Sequence, residues 1–179
     1  YRNPSATQEG RAVTKLLVAH IGEQTTPEPF AALNVAMDRA KSEGVDAQLA
    51  VITDCCVLPY LGLPVMRNTG VLHAIEHGFD HLFTLDNDVL LPEDIFLRWI
   101  DLAQNRDSID VLVPFLQSAA KNVGELGFPQ GSGLHPISDY CVCCSFIANP
   151  ARLVSKLGLE PYPPLDIITG YDTYVSRVW

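Results

Sequence analysis

Asp86-Asn87-Asp88 sets two carboxylates two residues apart, directly after the apolar run His81–Leu85 and ahead of Val89-Leu90. If the backbone turns there, both acids converge on one point, where two unpaired carboxylates repel and one takes up a proton. A divalent cation removes the conflict. Hard oxygen ligands suit Mg²⁺ or Mn²⁺, usually completed by waters and phosphate oxygens. For the tripeptide alone, an acidic turn whose side chains bond the following amides is the favoured account, and the surrounding segment reverses that preference. Other chemistry-bearing groups are scattered. His73 and His77 lie i, i+4 on a helical stretch, without the acidic companion of the H-E-x-x-H zinc-protease motif, and with His81 they read as surface or partly buried residues. Cys55 and Cys56 are adjacent, and Cys141, Cys143 and Cys144 sit in an apolar run with no C-x-x-C pair. Zinc-finger and thioredoxin spacings are therefore missing, and small buried thiols in a reducing cytoplasm are the expectation.

The elements that must position these residues follow from periodicity. Thr14–His20 and Asp46–Asp54 are short apolar runs fit for buried strands, and His81–Leu85 is a third. Between the first two, Glu23–Pro29 reads as a loop; Phe30, Leu33, Met37 and Ala40 then fall on one helical face that stops near Gly44. Pro59, Gly62 and Pro64 mark a loop, after which Val71, Ala74 and Ile75 begin a helix closed by Gly78. Pro92 is placed to open a helix with Glu93 and Asp94 in its first turn and a core face of Ile95, Phe96, Trp99, Ile100 and Ala103.

Further along, Asp110–Phe115 and Tyr140–Ala148 read as strands, Pro150–Leu157 as a short helix and Gly170–Val178 as another. The irregular stretch Gln117–Ser138 has the length of a functional or mobile loop. Alternation of this kind predicts an α/β fold: a mainly parallel central sheet with helices on both faces. Ligands of such sheets sit at the carboxyl ends of strands, which points to His20, Asp54 and Asp86–Asp88.

Composition narrows the partners. The 179 residues carry 12 Lys plus Arg against 21 Asp plus Glu, a formal charge of -9, so a nucleic-acid backbone is not the ligand expected. No apolar run approaches the ~20 residues of a membrane span, and no leader pattern is visible. The expectation is one domain over residues 1–179, a trimmed or incomplete version of something longer, since the chain begins at Tyr1 without a Met and ends abruptly at Trp179.

The segment Arg67-Asn68-Thr69-Gly70-Val71, Ala74-Ile75, Gly78, then Leu85-Asp86-Asn87-Asp88-Val89 and Pro92 resembles the nucleotide-sugar glycosyltransferases of the GT-A fold, particularly their family 2-like group. Pro92-Glu93-Asp94 followed by Asp110-Val111-Leu112-Val113-Pro114 is also similar to the fungal Anp1/Mnn9-type mannosyltransferases. The likeness is tight from Arg67 to Pro114 and loose elsewhere. It implies a Rossmann-like GT-A domain that moves a hexose from a UDP- or GDP-sugar to an acceptor hydroxyl with Mn²⁺ or Mg²⁺. It further implies roles: Asp88 on the metal, Asp86 on the metal or the ribose, Asp54 on the base, and Arg67 and Asn68 beside the nucleotide. A solvated Arg67, a helix-capping Asn68 and a loop-capping Asp54 remain the plain alternatives.

Where the family commonly carries Pro-x-Tyr-Asn at its first strand end, this chain has Ala19-His20-Ile21-Gly22. Asp172, after Gly170-Tyr171, stands where the family often places an acidic pair near the acceptor and is the candidate base, or a plain helix N-terminal acid. His135, after the glycine-rich stretch Gly127–Gly133, is a candidate third metal ligand or a polar loop residue. Two other functions compete. A haloacid-dehalogenase-like phosphatase uses Asp-x-Asp after an apolar strand, but there the motif opens the chain. A binding module would keep the sheet without turnover.

Overall fold

The computed structural model describes residues 13–22, 27–53, 62–105, 111–112 and 144–159. They form an α/β unit in the order β1 (Lys15–Ile21), α1 (Pro27–Ser42), β2 (Asp46–Ile52), α2 (Gly62–Glu76), β3 (His81–Asp86), α3 (Ile95–Gln104), β4 (Val111–Leu112), β5 (Cys144–Ile147) and α4 (Pro150–Leu157). The sheet order is β2-β1-β3-β5-β4. β1 lies parallel to both β2 and β3, whereas β5 runs antiparallel to β3 and β4. The sheet is thus mixed and mostly parallel, with one reversed strand that hydropathy had no means of orienting.

Alternation along the strands sorts side chains to two faces. Leu16, Val18, Phe83, Leu85 and Phe146 pack with α1 and α3 through Leu33, Met37, Phe96 and Trp99. Leu17, Ala19, Ile21, Leu82 and Ile147 pack with α2 and α4 through Met66, Val71, Ala74 and Leu153. Helices therefore cover both faces, as expected. Phe83 is the hub of the first layer, with Phe96 edge-on at 5.1 Å and Trp99 at 5.2 Å. Such aromatic pairs add about 0.5–1.5 kcal/mol each beyond their buried area. On the other face the buried Thr84 and Ser145 satisfy one another across β3 and β5, Oγ1 to Oγ at 2.8 Å.

Several boundaries differ from the periodicity. α1 begins at Pro27 inside the expected loop, because prolines in a first turn forgo amides that have no helical partner anyway. α2 begins at Gly62 rather than near Val71. Pro64 falls in its first turn, and Gly70, which a helix interior disfavours by about 1 kcal/mol, is retained for packing. A Cβ on Gly70 would lie 3.1 Å from the Ala19 Cβ, so its absence lets α2 settle onto β1. α3 starts at Ile95, past Pro92, and the Asp94 carboxylate bonds Arg98 at 2.6 Å instead of capping. α4 matches its expected span, with the Asn149 side chain accepting the Arg152 amide at 2.8 Å. Gly78 closes α2 at φ +65°. The predicted loop Gln117–Ser138, the helix Gly170–Val178, the outer parts of the two late strands, and Cys55, Cys56, Cys141 and Cys143 lie outside the described residues. Among the described residues no helix is long and apolar enough to cross a membrane.

Two buried histidines make this fold sensitive to acid. His20 is 2% exposed, and burial pushes its pKa below the ordinary 6.5. His81, at the start of β3, is lowered by burial too, partly offset by its Nδ1 contact with the Ala148 carbonyl at 2.7 Å and by the Asp80 charge. The unfolded chain takes up these protons first, so their contribution is complete above about pH 6.5 and is lost as the pH falls below it. Thermal melts should drop between pH 7 and pH 5. A His20→Gln/His81→Gln chain should show a shallower drop. An equal slope in both chains would assign the acid sensitivity to other groups.

Candidate functional site

The chain reverses its direction of travel across the sheet at β1: α1 carries it to β2 on one side, and α2 carries it back past β1 to β3 on the other. A crevice opens beyond the carboxyl ends of β1 and β3 at such a switch point. Ile21 lies in register with Asp86 there, and Gly22 and Asn87 follow. The Asp-x-Asp turn is therefore seated at the position where open α/β sheets take ligands.

Gly22 directly follows the end of β1 at this point. Its amide donates to the Ile52 carbonyl at 3.1 Å, and its φ of +127° is one that side-chain-bearing residues rarely adopt. A Cβ there would fall 2.9 Å from Asn87 Nδ2 and 3.0 Å from its Cγ. Asn87 thus rests on bare backbone at the end of β1, and this contact ties the Asp-x-Asp turn to the neighbouring strand.

The two aspartates face different surroundings. Asp86 shares a sheet face with Leu82, beneath α2, and its Oδ1 lies 3.6 Å from Arg67 Nη2. Arg67 is 3% exposed and stands one turn before Gly70 and Val71 on the stripe that packs on the sheet. Gly70 admits the helix to the sheet, and Arg67, on the same stripe, is thereby delivered to the end of β3. The solvated Arg67 and helix-capping Asn68 alternatives are both displaced: Arg67 is buried, and Asn68 is an 8% exposed residue inside α2. Asp88 is exposed beyond the turn and makes no hydrogen bond or ion pair among the described residues.

His20 lies on the opposite face from Asp86, edge-on to Phe30 of α1 at 6.2 Å. Its Nδ1 has no hydrogen-bond partner among the described residues, and burial favours the neutral ring. Ala19 is fully buried under Gly70, between β2 and β3. Asp54, His135 and Asp172 lie outside the described residues. Among the described residues no three His, Cys, Asp or Glu side chains are grouped so as to hold a metal. The donor chemistry nevertheless suits a hard cation at Asp88, whose carboxylate is uncommitted, while Asp86 is engaged by a guanidinium.

Gly22, Gly70 and Asn87 were not singled out by residue chemistry. The signals for them were spatial: a glycine directly after a buried strand, and a glycine three residues after an arginine.

Compared with protein-family models, curated proteins and solved structures, the chain gives no match in any of the three.

Proposed function

We propose that this chain is a metal-dependent glycosyltransferase domain of the GT-A type, moving a hexose from a nucleotide-sugar donor to an acceptor hydroxyl. The observation that carries the reading is the seating of Asp86-Asn87-Asp88 at the β1/β3 switch point, with Asp86 backed by buried Arg67 and Asp88 open to solvent. Asp88 would hold Mn²⁺ or Mg²⁺, and the ion would supply neutralisation of the charge that develops on a departing diphosphate. Arg67 fixes the Asp86 carboxylate at the strand end and adds positive charge behind the phosphates. The nucleoside lies beyond the end of β1, with Asp54 on the base and Asn68 beside the nucleotide, while the buried His20 and Ala19 shape the strand end behind it. His135 is assigned as the further metal ligand and Asp172 as the base that takes the acceptor proton.

Calorimetric titration with UDP- and GDP-sugars, with and without Mn²⁺, tests this. One donor should bind in a metal-dependent manner, and Asp172→Asn should leave that affinity near the parent value. The same variant should slow transfer by about a hundredfold or more, the scale of a lost general base. Absence of binding across the panel at millimolar donor would overturn the proposal. Binding without transfer or hydrolysis would instead identify a nucleotide-sugar-binding module.

A further inference from the structure

The end of α2 and the residue that follows it carry a second group of side chains, remote from the Asp-x-Asp turn. His73 and His77 stand one helical turn apart, with ring centroids 4.3 Å from each other and ring planes inclined at 52°. The His73 ring lies over Phe79 at 6.3 Å and 30°. Phe79 is itself 8% exposed and pinned by its amide, which donates to the Ala74 carbonyl at 2.8 Å. His73 therefore rests on the chain that folds back beneath its own helix, while His77 stays exposed. No hydrogen bond to either ring is found among the described residues. Two imidazoles held in contact, with uncommitted ring nitrogens and one open side, are a chelating pair in search of a ligand.

We propose that His73 and His77 form a bidentate site for a borderline transition-metal ion, of which Zn²⁺ is the type, with water in the remaining positions. Neutral imidazole nitrogen is the donor such ions prefer, at about 2.0–2.1 Å. The observed ring separation places the two imidazoles within reach of a common ion. The helix backbone holds the pair in place, so the ordering cost of chelation is small. No third His, Cys, Asp or Glu joins them among the described residues. Glu76 precedes His77 as in an inverted zinc-protease motif, yet its carboxylate is not grouped with the rings, so the inference is binding and not hydrolysis. His73 lies six residues after Arg67, about 9 Å along the helix and away from the β3 carboxyl end. Hard ions favour the carboxylate of Asp88 and softer ones the imidazoles, so the two sites select different cations.

The test is a zinc titration of the whole chain, read from the imidazole ¹⁵N and ¹H resonances, which report each ring separately. His73 and His77 should move together with one midpoint, while Mg²⁺ should move neither. His77→Ala, a favourable change at an exposed helix position, should raise the His73 midpoint by about tenfold or more. Asp88→Asn should leave the midpoint unchanged, which separates this site from the proposed glycosyltransferase chemistry. Rings that stay still in millimolar zinc, that titrate with separate midpoints, or that ignore His77→Ala would overturn the proposal.

Discussion

An Asp88→Asn chain is expected to melt as the parent does and to lose about a hundredfold or more of its metal-dependent affinity for nucleotide sugar. The first half follows from the exposed position of Asp88, which has no partner among the described residues: an isosteric change there removes no buried contact among them. The second half follows from ligand chemistry. An amide oxygen is neutral and a much poorer donor to Mn²⁺ or Mg²⁺ than a carboxylate, and even outer-shell changes at metal sites cost ten- to a hundredfold. Calorimetry at saturating Mn²⁺ measures the effect directly. Unchanged metal-dependent affinity would remove Asp88 from the metal site.

Asp86→Leu should show the opposite balance. It strips a carboxylate from Arg67, which is only 3% exposed, and removing one partner of a buried pair costs about 3–5 kcal/mol. Asp86 is itself 29% exposed, so water can reach the vacated space and the lower end of that range is expected. A denaturant midpoint close to that of the parent would show that Arg67 does not depend on this pair.

Gly22→Ala is the second large effect. The substituted residue must hold a φ of +127° that costs about 1–3 kcal/mol in strain, and its new methyl would lie 2.9 Å from the Asn87 amide nitrogen. Either Asn87 leaves its seat or β1 shifts, and both disturb the turn that aims Asp88. A loss of about 2 kcal/mol or more in stability is therefore expected, together with weakened metal-dependent binding. The steric share is separable from the backbone share. In a Gly22→Ala/Asn87→Gly chain the clash is gone and the strain remains, so the double-mutant cycle should show a coupling of about 0.5–3 kcal/mol. A Gly22→Ala chain that melts with the parent would refute the contact.

Much of this architecture was legible because local physics dictates it. Short apolar runs between turn residues fit strands, and the Leu33, Met37 and Ala40 stripe faces a core. Pro150 after Asn149 declares a helix start by itself, and α4 begins there. Asp86-Asn87-Asp88 drew attention as a turn after a strand for the same reason, since two adjacent like charges demand an account wherever they fall.

What the sequence could not show were relations between distant parts of the chain. Pro64 and Gly70 look like interruptions in one dimension, yet α2 runs through both, because a first turn needs no amide at Pro64 and Ala19 leaves room only for glycine at Gly70. Arg67 and Asp86 are nineteen residues apart and become a pair only once that helix lies on the sheet. β5 reverses direction between β3 and β4, a choice made by where the chain returns and not by its hydropathy. The sequence by itself determined which residues are buried in strands and helices and that the acidic turn follows a strand. The tertiary structure alone decided that this turn sits on Gly22, that one of its aspartates is held by a buried arginine, and that the other faces solvent. Local preferences depend on neighbours along the chain, whereas charge pairing and close approach depend on neighbours in space.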